Sequence, residues 1–165
     1  MVRLAFKDEP GIAVSLIDSP RSDGKPNYTI DVLQEVKRSL SPHDELFCLL
    51  GADSFLTLKR WHHAEALLFV CDFIVAGRPG FSLDVVSAEL PNGVRAACEP
   101  VQSQLVATCE LSNGLGQRSH IHLMRDLHLD ISATEIRAAL QGERTASEVL
   151  APEVVRYIHE RDLYR

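Results

Sequence analysis

Two short apolar runs constrain what this chain can become. Glu45-Leu46-Phe47-Cys48-Leu49-Leu50 ends at Gly51, and Asp72-Phe73-Ile74-Val75-Ala76 ends at Gly77. Short, nearly continuous apolar runs suit parallel strands covered on both faces. The first is expected to be a central strand of this kind. Between them a short helix through Leu58 is expected, then Trp61, then a helix opened by His62-His63 and running to about Phe69. Strand, helix, strand is the repeating unit of a parallel sheet, so an α/β domain with a mostly parallel sheet follows.

The flanking sequence extends the pattern. Met1–Lys7 reads as the last turns of a helix, broken by Asp8-Glu9-Pro10-Gly11. Ile12–Ile17 alternates as a strand would, with Ile12, Val14 and Leu16 on one face. A polar loop, 18–27, leads to a helix over Ile30–Leu40 that buries Val32, Leu33, Val36 and Leu40, with Thr29 as its cap. Residues 81–119 are irregular, marked by the turn signals Pro91-Asn92-Gly93 and Asn113-Gly114-Leu115-Gly116. A strand is expected over His120–Leu127. It delivers the chain to a helix starting near Ser132, and Pro152 opens the last helix, Glu153–Arg161.

Composition narrows the function classes. With 165 residues, 45% hydrophobic and 24% charged, the chain has the profile of one soluble globular domain. A net charge of −6 argues against broad nucleic-acid affinity. No apolar run approaches the roughly 20 residues that span a bilayer. Cys48, Cys71, Cys98 and Cys109 form no CxxC pair, and all four are expected to be reduced packing residues of a cytoplasmic protein. His62-His63 and His120-x-His122 are not expected to hold a metal: adjacent histidines diverge on a helix, and the second pair lacks a nearby third ligand. No GxSxG, HExxH or P-loop sequence occurs.

The candidate site residues fall where ligands bind in open α/β sheets, beyond the carboxyl ends of the strands. Gly51 and Asp53 follow the first apolar strand. A carboxylate there either accepts from both hydroxyls of a ribose, the glycine admitting the nucleoside, or caps the next helix. Thr29 caps its helix, or marks amides that hold a carboxylate. Trp61, the sole tryptophan, stacks on a planar ring or packs in the core. Arg78 follows the second strand and meets an adenine face or phosphate, unless it is simply solvated. Asp130-Ile131-Ser132-Ala133-Thr134-Glu135-Ile136-Arg137 reads as a helix start that favours anions, with Arg137 a planar positive fork one turn on. Alone, it reads first as an ordinary capped helix with a surface arginine.

Taken in order, Pro26-Asn27-Tyr28-Thr29, Leu50-Gly51-Ala52-Asp53-Ser54, Lys59-Arg60-Trp61-His62, Gly77-Arg78-Pro79-Gly80 and Ile131–Arg137 resemble the bacterial nicotinate mononucleotide adenylyltransferases. Tyr157-Ile158 and Leu163-Tyr164 fit the same family, and the likeness is weakest over 82–119. The resemblance implies a single Rossmann-like, doubly wound domain over 1–165 with C-terminal helices. Its implied activity joins ATP and nicotinate mononucleotide into deamido-NAD and pyrophosphate with Mg²⁺, in NAD biosynthesis. It assigns Thr29, Trp61 and His62 to the nicotinate nucleotide. Gly51 and Asp53 go to the adenosine ribose, Arg78 to the adenine side, and Ser132, Thr134 and Arg137 to the ATP phosphates. It implies small nucleotides as partners and leaves the oligomeric state open.

The departure from the family pattern matters as much. Family members carry a glycine-rich GG-T/S-FDP-x-H-x-GH segment whose histidines contact phosphate, and these 165 residues contain none. No histidine here inherits that catalytic role. The resemblance therefore implies a chain lacking its first βα unit, roughly 30–50 residues, with Met1 an internal position and activity impaired. A non-catalytic nucleotide-binding or interaction protein built on this fold is the alternative.

Overall fold

The structure, a computed structural model, describes residues 1–77, 83–98, 106–124, 133–141 and 150–164. In chain order the helices are α1 (Val2–Ala5), α2 (Thr29–Ser39), α3 (Ala52–Phe55), α4 (Ala64–Leu67), α5 (Leu83–Ala88), α6 (Ala133–Gln141) and α7 (Pro152–Glu160). The strands are β1 (Phe47–Gly51), β2 (Asp72–Ala76), β3 (Val94–Cys98), β4 (Val106–Asn113) and β5 (Arg118–Met124). The chain forms two compact units, residues 17–128, which hold all five strands, and residues 1–16 with 129–165.

The larger unit is built on one mixed sheet with strand order β1-β2-β5-β4-β3. β1, β2 and β5 run parallel, β4 lies antiparallel to β5, and β3 lies antiparallel to β4. The α/β class inferred from the apolar runs holds. β2 sits between two partners, and its alternate residues Phe73 and Val75 are fully buried. They meet Ile121 and Leu123 of β5, Ala107 and Leu111 of β4, and Phe55, Leu58, Leu67 and Leu68 from the connections after β1 in one apolar cluster. α2 contributes Ile30 and Leu33, the buried stripe of an amphipathic helix.

Three expectations are corrected here. β1 is an edge strand, not a central one: it pairs with β2 alone among the described strands, and Phe47 and Leu49 are 42% and 67% exposed. An apolar run identifies a strand, but hydrogen-bonded neighbours determine its place in the sheet. Residues 12–16 form no strand, and Ile12 and Leu16 are exposed. Alternation supplies a face, whereas a strand exists only where another chain segment takes its N–H and C=O groups. Thr29 is the first residue of α2 rather than its cap. Tyr28 holds the cap position in extended backbone without a side-chain cap bond.

The cysteines divide. Cys48 and Cys71 are buried free thiols, as expected, and burial pushes the Cys71 thiol up to about 12 and raises that of Cys48. Both stay neutral packing groups. Cys98 and Cys109 instead form a disulfide, which corrects the expectation that all four are reduced. The antiparallel register of β3 and β4 sets these residues directly opposite each other, and the irregular 81–119 stretch gave no hint of that pairing. The bond closes a short loop, with a sequence separation of 11. Loop closure of that size is worth about 2–3 kcal/mol of unfolded-state entropy. Reduction with a phosphine should lower unfolding stability by that amount in urea titrations. An unchanged midpoint would mean that the sheet alone holds the two strands.

In the smaller unit α1 packs on α7, whose Val154 and Ile158 are buried. Pro152 stands at the first turn of α7, where its missing N–H is no loss.

Candidate nucleotide site

The carboxyl end of β1 meets that of β2 at the pair Gly51↔Ala76, and the Gly77 N–H ties the end of β2 to the Met124 carbonyl of β5 at 2.8 Å. Gly51 closes β1 and starts α3 with φ −73° and ψ 155°. Any residue adopts that backbone, and a Cβ at Gly51 would meet nothing within 4 Å. The protein's own packing therefore gives no reason for glycine at this strand end. Asp53 stands exposed in the first turn of α3.

After α3 the chain makes one 3₁₀ turn, Leu58–Arg60, and reaches Trp61. The half-buried indole packs against the apolar cluster. Its Nε1–H donates to Thr57 Oγ1 at 3.1 Å, and that hydroxyl donates to the Ser54 carbonyl at 2.9 Å. The relay sets the indole relative to the helix that carries Asp53. His63 then takes a left-handed conformation, φ 51°, costly for a non-glycine residue, at the start of α4. The His62 ring stacks on the Tyr28 ring, centroids 3.9 Å apart and planes inclined 23°.

This arrangement closes a pocket of about 190 Å³ lined by Asn27, Tyr28, Thr29, Trp61, His62 and Leu67. Thr29 and the adjacent pair Trp61-His62, more than thirty positions apart, meet there at the N-terminus of α2, an 11-residue helix with an acceptor-seeking end. Trp61 also borders a second, more open pocket of about 490 Å³ with Lys59, Glu65, Asn92 and Gln117.

The remaining candidates belong elsewhere. Thr134 and Arg137 are exposed on α6 of the smaller unit, and the Arg137 guanidinium lies over the Tyr164 ring, 5.6 Å from its centroid. Arg78 and Ser132 lie outside the described residues. Sequence reasoning gave no role to Tyr28 or Tyr164. Tyr28 adjoins Thr29, which is a usable signal, but no spacing rule links Tyr164 to Arg137.

Comparison with known proteins decides the family. No family model matches the chain. A probable nicotinate-nucleotide adenylyltransferase of Stenotrophomonas maltophilia is 36% identical over all of this chain and 72% of its own length. One from Citrifermentans bemidjiense is 34% identical over 99% of this chain and 72% of its own length. The chain belongs to the nicotinate-nucleotide adenylyltransferase family. The family expected from the motifs is thus shown, by alignments that cover 99% and 100% of the chain rather than the motifs alone. A solved structure, Plasmodium falciparum nicotinic acid mononucleotide adenylyltransferase complexed with APC, matches with a TM-score of 0.53 over 88% of this chain and 62% of that one. At 19% identity this likeness supports the Rossmann-like fold.

Proposed function

We propose that this adenylyltransferase-family chain binds ATP and nicotinate mononucleotide and serves NAD biosynthesis in the cytoplasm by forming deamido-NAD and pyrophosphate. The observation that carries the reading is the pocket joining Thr29, Trp61 and His62 at the start of α2. A pyridine carboxylate suits unpaired helix N–H groups and the dipole behind them, and an indole face suits the pyridine ring. The open space over Gly51 and the carboxylate of Asp53 support adenosine ribose recognition beside it. Thr134, Arg137, Ser132 and Arg78 are assigned to the phosphates and adenine.

In the proposed reaction the phosphate of nicotinate mononucleotide attacks the α-phosphorus of ATP and pyrophosphate leaves, with no covalent enzyme intermediate. The protein's work is alignment and charge stabilisation. Arg137 can place a planar double donor on phosphate oxygens. Mg²⁺ supplies further charge neutralisation when bound. No group of three His, Cys, Asp or Glu side chains among the described residues could hold a metal ion. No described helix is long and apolar enough to cross a membrane.

Trp61 is the only tryptophan, so its emission reports on the pocket directly. Titration with nicotinate mononucleotide should quench it saturably, and nicotinamide mononucleotide should bind at least about tenfold more weakly for lack of a carboxylate. By calorimetry, Trp61→Ala should weaken nicotinate mononucleotide about 10–100-fold, the worth of one ring stack, and leave ATP unchanged. Equal losses for both nucleotides would make Trp61 a core residue and sink the assignment.

A further inference from the structure

The half-exposed face of the sheet carries a second arrangement, away from the Gly51 end. His120 and His122 are two residues apart on β5 and so share one face. Their ring centroids lie 6.0 Å apart with planes inclined 23°. Each ring is held at Nδ1 from a different neighbouring strand. His120 Nδ1 lies 3.2 Å from Asp72 Oδ2 on β2, and His122 Nδ1 lies 3.0 Å from Thr108 Oγ1 on β4. The Asp72 carboxylate also accepts the His120 backbone N–H through Oδ1 at 2.8 Å, so both of its oxygens are engaged.

An imidazole held at Nδ1 offers Nε2, and a carboxylate behind the first nitrogen orients the ring and raises the basicity of the second. We propose that His120 and His122 form a two-imidazole site for a borderline divalent transition cation, Zn²⁺ or Ni²⁺, bound through both Nε2 atoms. Asp72 and Thr108 hold the rings, and water completes the coordination shell. Metal–nitrogen bonds of about 2.0–2.1 Å at a tetrahedral angle place the two centroids about 5 Å apart. The observed centroid separation of 6.0 Å is within about 1 Å of that value.

Access and selectivity follow from the surroundings. The side chains of His120 and Asp72 are 44% and 33% exposed, so an ion reaches them from solvent. Glu110, directly across from His120, has its carboxylate on Arg118 Nη1 at 2.6 Å. With no third protein ligand in place among the described residues, the site is an exchangeable one of modest affinity. Two nitrogen donors suit Zn²⁺ and Ni²⁺ and disfavour Mg²⁺ and Ca²⁺, which require oxygen shells. Asp72 and Phe47 pair at the opposite end of β1 and β2 from Gly51 and Ala76, so the site is separate from the nucleotide pocket.

The test is calorimetric titration of the untagged 165-residue chain with Zn²⁺ and with Ni²⁺. One ion per chain should bind with a micromolar Kd. His120→Asn and His122→Asn each keep a polar atom near the Nδ1 position and remove Nε2; either should weaken binding at least about 100-fold. Asp72→Asn should weaken it about 10–100-fold by loosening the ring behind the ligand, while His43→Asn changes nothing. Stoichiometric binding that survives both asparagine variants, or no binding at millimolar metal, overturns the site. One measurement needs no substitution: Ni²⁺ should broaden the imidazole resonances of His120 and His122 before those of the other histidines. Broadening that starts elsewhere overturns it equally.

Discussion

Phe73→Ala is expected to destabilise the sheet-bearing unit by about 3–5 kcal/mol, a large share of the roughly 5–15 kcal/mol that holds a domain folded. Phe73 is fully buried on β2, in register with Cys48 of β1 and Ile121 of β5. Truncation therefore removes the ring's transfer energy and leaves a cavity where three strands meet, with rigid neighbours that cannot collapse into it. Leu49→Ala provides the contrast. Leu49 is just as apolar and only one strand away, but 67% exposed, so its loss should stay within about 0.5 kcal/mol. Urea titrations of both variants decide the matter. Comparable losses at the two positions would mean that β1 is buried on both faces and that the edge assignment is wrong.

A polypeptide of these 165 residues should release pyrophosphate from ATP and nicotinate mononucleotide at least about 10³-fold more slowly than a relative carrying the glycine-rich segment. Each preorganised donor to a developing phosphate charge is worth about 10²–10³ in rate, and the segment supplies several. The pocket of Thr29, Trp61 and His62 lies within these residues, so nicotinate mononucleotide should still quench Trp61. Grafting the segment from a relative ahead of Met1 should recover most of the rate. Turnover comparable with the relative, without a graft, would show that Arg137 and its neighbours suffice. Capture without recovery after grafting would favour the non-catalytic nucleotide-binding reading.

Motifs and apolar runs carried most of the correct expectations, and apolar spacing carried α2 and β5. The runs ending at Gly51 and Gly77 identified β1 and β2 as strands, though only β2 lies between two partners. Pro152 and the turns at Pro91-Asn92-Gly93 and Asn113-Gly114 were read correctly because proline and glycine act locally. β3 and β4 were missed. Their residues Val94–Cys98 and Val106–Asn113 are held by antiparallel partners, and neither run has a bias strong enough to announce itself. The Cys98–Cys109 bond was missed for the same reason, since it depends on which residues the register sets opposite.

The candidate site divides in the same way. Thr29, Trp61 and His62 were named from motifs, as were Gly51 and Asp53. That the first three line one pocket, with Tyr28 stacked on His62 and Trp61 tied through Thr57 to the helix of Asp53, appears in no local pattern. His120-x-His122 was set aside for want of a third ligand, yet packing placed Asp72 and Thr108 behind the two rings. Identity of family, class of fold and types of residue at the site were matters of local chemistry: apolar runs, glycines and a few polar motifs act over one or two turns of chain. Edge or centre for β1, thiol or disulfide for Cys98 and Cys109, and which side chains share a pocket were settled by pairing across long separations, where register and burial choose among partners that the order of residues leaves open.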